Sequence, residues 1–357
     1  LIGVIIHEVG HNFFPMIINS DERQWTWMDE GLTTFVQFLT EQQWERDYPS
    51  RRGPAENIVP YMSGDKSKIA PIMTNSESLV QFGNNAYAKP ATALNILRET
   101  VMGRELFDHA FKTYCERWKF KHPSPADFFR TMEDASGVDL DWFWRGWFFR
   151  TDHVDQGIAN IKEMTIDPKA VVARQKTDRL YRSEGISTIR NREEIEQTYS
   201  EKDPSVLDFY NSYDPDQEDQ IDKEVYLKYM DQLTEEEKEL LQNEKYFYQI
   251  DIENPGGLVM PVIIKMTYED GTDSILRIPA EIWRFNDPVV NKVIPSDKRI
   301  IQFELDPFLE IADINRENNF FPPKPVMTRF ELFKERQRDN ENPMQRARQQ
   351  KGKVIKP

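Results

Sequence analysis

Two histidines near the start of the chain, His7 and His11, stand four positions apart, and Glu8 directly follows the first of them. Residues at this spacing project from the same face of an α-helix, so both imidazoles can bind one metal ion. Glu8 lies about 100° around the helix from His7, beside the ion rather than towards it. A carboxylate in that position can accept a proton from an attacking water. The spacing therefore indicates a hydrolytic metal site with Glu8 as the general base.

A catalytic zinc ion takes three protein ligands and keeps one position open. Glu30 fits as the third ligand, because a loop between two antiparallel helices can bring it to the histidines from its place further along the chain. We therefore predict one zinc ion (Zn²⁺) per chain, held by His7, His11 and Glu30. Asp29 and Gln37 are candidates for hydrogen bonds to the histidines. Bound zinc would supply Lewis acidity, which lowers the pKa of a water to about 7.

Several segments of the chain together resemble a known family of peptidases. The clearest are His7–His11, Trp27–Gly31 and Tyr87–Pro90. They resemble the zinc aminopeptidase N family of gluzincin peptidases, which includes the leukotriene hydrolases, and in particular a bacterial member of it. Asp29 stands where the family usually has Asn. The resemblance is strongest in the first ninety residues and extends more weakly over about two thirds of the chain.

This resemblance implies a zinc-dependent metallopeptidase that removes N-terminal residues from peptide substrates. In the family, the phenol at the position of Tyr87 hydrogen-bonds the oxyanion of the tetrahedral intermediate, opposite the base. The family binds the free amino group of its substrates through a Gly-x-Met-Glu-Asn motif upstream of the zinc helix. Because the chain opens at Leu1 without that motif, we expect it to be a fragment that lacks the N-terminal portion of its own protein. By itself, the fragment is expected to be weakly active or inactive.

Two other functions are compatible with the same residues. One is a zinc endopeptidase, or another zinc hydrolase of the same fold, that does not recognise a free amino group. The other is a non-catalytic interaction protein that retains the fold. A helix with two half-exposed histidines that bind no metal is a further interpretation of the pattern. The complete set of ligands, base and tyrosine argues against both non-catalytic interpretations.

Residues 1–150 show the hydrophobic spacing of α-helices. The segment 32–44 repeats apolar residues at helical intervals, and Ser124 with Asp127 is typical of a helix N-terminus. Residues 1–9 have an apolar face, which we expect to be buried. With the resemblance, this part of the chain is expected to be the mostly α-helical, thermolysin-like catalytic subdomain.

The rest of the chain divides into three kinds of sequence. Residues 151–166 and 246–325 alternate apolar and polar side chains, with a hairpin signal at Asp270–Gly271, and are expected to form a small antiparallel β-sandwich. Residues 167–245 are a long charged insertion, which we expect to be partly helical or disordered. Residues 326–357 are a charged C-terminal tail. The predicted fold class is therefore α+β, with several domains.

The composition excludes several classes of partner. The 357 residues carry a formal net charge of -15 and no basic stretch that could neutralise a nucleic-acid backbone, so no nucleic-acid partner is expected. Cys115 is the only cysteine, which excludes an intrachain disulfide. No run approaches the roughly 18 apolar residues that span a bilayer. The resemblance to bacterial members favours a periplasmic, cell-envelope or secreted location over a cytoplasmic one.

Overall fold

The computed structural model describes residues 1–165, 185–212, 220–243, 245–324 and 329. Residues 1–147 are mostly helical. The α-helices of this part are α1 (Ile2–Gly10), α2 (Leu32–Trp44), α3 (Val59–Met62), α4 (Lys89–Ile96), α5 (Arg104–Trp118), α6 (Pro125–Ser136) and α7 (Asp141–Trp147). Wider π-helical turns adjoin them at Trp27–Gly31 before α2, at Gly83–Ala88 before α4 and at Leu97–Val101 after α4.

The start of α6 follows the sequence prediction closely. Asp127 accepts a hydrogen bond from the Ser124 backbone N–H at 2.8 Å, which satisfies a donor that the first turn of the helix leaves free. Gly137 ends the helix in the left-handed conformation, with φ of 70°. The predicted capping pair is therefore confirmed.

Helix α1 packs on α2 through its polar face. His7 is buried, whereas Val9 on the opposite face is 56% exposed. The prediction that the apolar face of residues 1–9 is buried is therefore wrong. The physical reason is that Gly3 and Gly10 lie on the same face as His7 and have no side chain, so this face of α1 can approach α2 closely. A Cβ on either glycine would come within 3 Å of a side chain of α2.

An aromatic cluster fixes the turn that precedes α2. Trp27 is 1% exposed. It stacks on Phe129 of α6 with ring centroids 5.8 Å apart and meets Phe148 edge-on at 4.9 Å. Because Glu30 lies in the same turn as Trp27, this packing also holds the backbone that carries Glu30.

Two antiparallel sheets follow the helices. The three-stranded sheet has the order β1 (Gly157–Thr165), β2 (Tyr246–Glu253) and β5 (Val289–Ser296). The four-stranded sheet has the order β4 (Asp273–Ile278), β3 (Val262–Tyr268), β6 (Ile300–Leu305) and β7 (Phe320–Phe321). The expected antiparallel strands are confirmed, while their grouping as a β-sandwich domain stays a prediction. Strands β1 and β2 are neighbours although the charged insertion separates them in sequence.

The helices and the sheets share buried residues. The larger hydrophobic core joins Trp147 of α7 to Leu258, Met260 and Ile311 from the strand-rich part. The Trp147 indole N–H donates to the Met260 sulfur at 3.4 Å. A second core contains residues of both sheets, from β2, β3, β5 and β6 among others.

Exposed helices occupy the described parts of the charged insertion. They are α8 (Ile186–Glu194), α9 (Tyr199–Lys202), α10 (Phe209–Ser212), α11 (Gln220–Gln232) and α12 (Glu235–Asn243). The predicted tail at 326–357 lies outside the described residues, apart from residue 329. Among the described residues, no helix combines the length and apolarity needed to cross a bilayer.

Candidate metal centre

His7 of α1 and His11, which directly follows the helix, project into one space, as their spacing predicts. Their ring centroids are 4.8 Å apart with the rings nearly perpendicular. His7 is 8% exposed and His11 is half-buried. The end of α1 and the residue that follows it therefore present both imidazoles to the same space.

Glu30 reaches that space from the π-helical turn before α2. Its Oε2 atom lies 3.0 Å from His7 Nε2 and 3.5 Å from His11 Nε2. Ligand atoms about 2.1 Å from a tetrahedral zinc ion lie roughly 3.4 Å from one another. One nitrogen from each of two imidazoles and one carboxylate oxygen are also a donor set that zinc prefers. The three side chains therefore fit a zinc ion by both distance and chemistry.

The opposite ring nitrogens face hydrogen-bond acceptors. His7 Nδ1 lies 2.9 Å from Gln37 Oε1, and His11 Nδ1 lies 2.9 Å from the Phe14 carbonyl oxygen. Asp29 Oδ1 is also 3.0 Å from His11 Nδ1, but it accepts no hydrogen bond there, because the N–H of His11 points to the Phe14 carbonyl oxygen. Protons on both Nδ1 atoms leave both Nε2 lone pairs free to bind a metal.

The carboxylates give this site an excess of negative charge. Burial acts to raise the pKa of Glu30, but interactions with His7 and Tyr87 outweigh it and hold that pKa below its ordinary value. Burial and the neighbouring charge of Glu30 raise the pKa of Asp29 to about 7. The hydrogen bond to Glu30 is the largest cause that raises the pKa of His7. The raised pKa of His7 shows that the carboxylates make this site favourable for a positive charge.

The two predicted catalytic side chains, Glu8 and Tyr87, both interact with His7. Glu8 is exposed on α1, and its charge contributes to the raised pKa of His7. The half-buried Tyr87 ring stacks on His7 with centroids 5.8 Å apart. Burial raises the pKa of Tyr87, and its interaction with Glu30 adds to that rise. The phenol is therefore protonated at neutral pH and able to donate a hydrogen bond.

Sequence reasoning missed two residues near this site. The Arg52 guanidinium lies over the Tyr87 ring, 4.4 Å from its centroid. Glu41 is 4% exposed and accepts a hydrogen bond from Gln37. The four-residue spacing between Gln37 and Glu41 on one helix could have indicated this second contact. No local signal marks Arg52, since its contact depends on how a loop folds back onto another helix.

Comparison with protein families agrees with the geometry. The model described as the Peptidase family M1 domain matches residues 1–147, the part that contains every predicted site residue. Residues 1–147 are therefore similar to the domain of peptidase family M1. Among curated relatives, the chain is similar to the human glutamyl aminopeptidase, with 24% identity over 49% of this chain and 19% of that protein. It is also similar to a probable aminopeptidase 1 from Sulfurisphaera tokodaii, with 24% identity over 41% of this chain and 19% of that protein.

The chain thus spans about a fifth of the length of these relatives. Among solved structures, it matches a Legionella pneumophila aminopeptidase A in complex with aspartic acid over 87% of this chain and 26% of that one, with 12% identity and a TM-score of 0.45. An M1 zinc metallopeptidase from Deinococcus radiodurans matches over 41% of this chain and 32% of that one, with 19% identity and a TM-score of 0.34.

Proposed function

We propose that the chain provides the zinc-binding and proton-transfer groups of a metallopeptidase that removes N-terminal residues from peptides. The observation that carries the proposal is the convergence of one atom each from His7, His11 and Glu30, all within 4.8 Å of one another. The M1 family match over the same residues supports it. We expect one zinc ion at this site in each chain, because two imidazoles and one carboxylate are a donor set that zinc prefers.

In this proposal, the side chains around the zinc have distinct roles. Bound zinc supplies Lewis acidity, which activates water for attack on a peptide carbonyl. Glu8 takes the proton from that water and passes it to the leaving amine. Tyr87 donates a hydrogen bond to the oxygen that becomes negative as the carbonyl is attacked. The protonated state of Tyr87 supports this role, because only a neutral phenol can donate.

The strand-rich part is proposed to be a structural module. Residues 151–166 and 246–325 would form a β-sandwich domain that packs on the helices and supports them, and the contact between Trp147 and Met260 supports this assignment. A periplasmic, cell-envelope or secreted location for the protein also stays a prediction.

Zinc content and hydrolysis together test the proposed function. We expect the protein, purified from the cells that naturally produce it, to bind one zinc ion per chain. We also expect it to release the first residue of peptides that have a free N-terminus. The substrate panel includes a glutamyl derivative, because relatives carry that substrate in their names. Equal cleavage of peptides with a blocked N-terminus would instead favour an endopeptidase.

The variant Glu8→Gln separates catalysis from metal binding. We expect it to retain zinc, because Glu8 is not a ligand, and to lose at least about 10²-fold in rate, because the proton acceptor is gone. The matched control is Glu105→Gln, which changes an exposed glutamate of α5 and leaves the rate as in the wild type. A wild-type protein that binds no zinc, with a Glu8→Gln variant of equal activity, would contradict the proposal.

A further inference from the structure

His7 must carry its proton on one particular nitrogen to serve as a metal ligand. Its Nε2 faces Glu30 Oε2 at 3.0 Å, where the metal would lie, so the proton belongs on Nδ1. Nδ1 lies 2.9 Å from the Gln37 side chain. An amide offers either an oxygen or an NH₂ group to such a neighbour. The tautomer of His7 therefore depends on which end of the Gln37 amide faces it.

Glu41 decides the orientation of that amide. The Gln37 NH₂ group donates to Glu41 Oε1 at 2.8 Å. An ionised carboxylate only accepts hydrogen bonds, so it requires the NH₂ end of Gln37 and turns the amide oxygen towards His7. The reversed amide would place oxygen against oxygen at Glu41 and N–H against N–H at His7. Both contacts would be repulsive.

The surroundings of Glu41 hold its carboxylate in place. Ser50 donates its hydroxyl hydrogen to Glu41 Oε2 at 2.5 Å, and Gln42 in turn donates to Ser50 at 3.1 Å. On the other side, a Cβ on Gly3 of α1 would lie 2.7 Å from Glu41 Oε1. Because Gly3 has no side chain, the Glu41 carboxylate fits between α1 and α2, where it is 4% exposed.

We propose that Glu41 is a positioning residue for the metal centre: through Gln37 it fixes the His7 tautomer whose Nε2 is free for zinc. Metal-bound histidines usually donate their second N–H directly to a carboxylate, a carbonyl or water. In this chain an amide stands in between, and the carboxylate lies one helical turn further along α2. The inference rests on the proposed function in one respect, the assignment of His7 as a ligand.

Zinc affinity, measured by competition with a chelator, tests the proposal. We expect Glu41→Leu to weaken zinc binding by about 10- to 100-fold, the usual effect of losing a partner of a ligand. Glu41→Gln can still accept from Gln37 and should stay within a few-fold of the wild type. The matched control is Gln43→Leu, which changes an exposed residue of the same helix and should bind zinc normally.

The double variant Gln37→Glu with Glu41→Leu distinguishes positioning from a merely structural role. It places a carboxylate directly against His7 Nδ1 and no longer needs residue 41 to orient an amide. We therefore expect it to recover most of the zinc affinity that Glu41→Leu loses. Failure of this recovery, or normal affinity in Glu41→Leu, would overturn the proposal. The double variant and Glu41→Gln keep the test decisive if Glu41→Leu does not fold.

The metal-free protein provides a second readout that does not depend on zinc. Nitrogen-15 NMR of labelled histidine shows which ring nitrogens carry a proton, and the chain contains five histidines. We expect Nδ1 of His7 to carry a proton in the wild type and to have lost it in part of the molecules of Glu41→Leu, because the freed Gln37 amide can then present its NH₂ group to Nδ1. If the wild type binds no zinc, the proposed peptidase function fails, but this NMR result still supports or overturns the positioning role of Glu41.

Discussion

At the scale of single residues, Glu30 Oε2 faces the Nε2 atoms of both histidines while their Nδ1 atoms face fixed acceptors. The protein therefore orients both rings before any ion arrives. A metal ion that binds here displaces protons but does not require the side chains to reorganise. This preorganisation lowers the free-energy cost of metal binding. Tyr87 lies against this set without belonging to it, so its role can be tested separately.

The variant Tyr87→Phe removes one hydroxyl group and keeps the ring that stacks on His7. We expect the turnover number, kcat, to fall by about 10²-fold or more, since a donor to a developing oxyanion has that effect. Zinc content should be unchanged and KM little altered, because the hydroxyl acts mainly in the transition state. Steady-state kinetics with parallel metal analysis provide the measurement.

Tyr114→Phe is the control for this substitution. Its hydroxyl is buried and finds no hydrogen-bond partner within the described part of the chain. The same atomic change there should leave kcat as it is. An equal loss of activity in both variants, or loss of zinc in Tyr87→Phe, would show that the hydroxyl of Tyr87 has no specific role in the reaction.

At the scale of elements, the turn that carries Glu30 packs directly on the turn that carries Tyr87. Gly31 makes this contact possible, because a Cβ there would lie 2.7 Å from Pro90 Cγ and 3.1 Å from the Ala86 carbonyl oxygen. Backbone and a proline ring cannot easily move aside. The separation of the two functional side chains is therefore set by this close contact between helices.

Gly31→Ala should force the two turns apart. We expect a loss of about 1–3 kcal/mol in the free energy of unfolding, as for overpacked cores, and a fall in kcat because Tyr87 moves relative to the ligands. Urea unfolding and kinetics measure the two effects. In contrast, Gly146→Ala meets Leu258 at an ordinary 3.5 Å within α7 and should be neutral or stabilising. A Gly31→Ala variant as stable and active as the wild type would contradict this account of the contact.

The elements also show what the sequence could and could not predict. The spacing of His7, His11 and Glu30 is local to a helix and the next helix start, and the structure brings these three residues together. The buried face of α1 was predicted wrongly, because apolar periodicity identifies a face but not the neighbour that covers it. The role of Arg52 was not predicted, because a contact between distant segments defines it.

At the scale of the whole molecule, the helical and strand-rich parts share one hydrophobic core. Buried residues of the strand-rich part belong to the same core as the helices, among them Leu258, Met260, Ile263, Ile311 and Ala312. Two buried carboxylates lie in this strand-rich region: burial raises the pKa of Asp306 and of Asp313 to about 6. Each therefore makes the stability of the fold depend on pH.

The sign of this dependence follows from proton binding. The folded state takes up a proton at Asp306 near pH 6, whereas the unfolded chain does so near its ordinary pKa of about 4. Stability should therefore rise as the pH falls from 7 to 4, by an amount on the order of 2 kcal/mol for this residue. Below about pH 4 both states are protonated, and the gain from this group ends.

The variant Asp306→Asn isolates this contribution. The amide cannot titrate, and its oxygen can still accept the hydrogen bond from the Glu310 backbone N–H. We expect the increase in unfolding free energy between pH 7 and pH 4.5, measured with urea, to be smaller in the variant than in the wild type. Identical pH profiles for the two proteins would contradict a raised pKa at Asp306.

The π-helical turns at Trp27–Gly31 and Gly83–Ala88 have a consequence for the evolution and engineering of this chain. Such a turn contains one residue more than an α-helical turn. Deleting a single residue from either would restore α-helical winding and rotate everything on one side of the deletion by about 100°. Glu30 or Tyr87 would then point away from the histidines. Insertions and deletions should therefore be tolerated in the surface loops and not in these two turns, whatever residue types are retained around them.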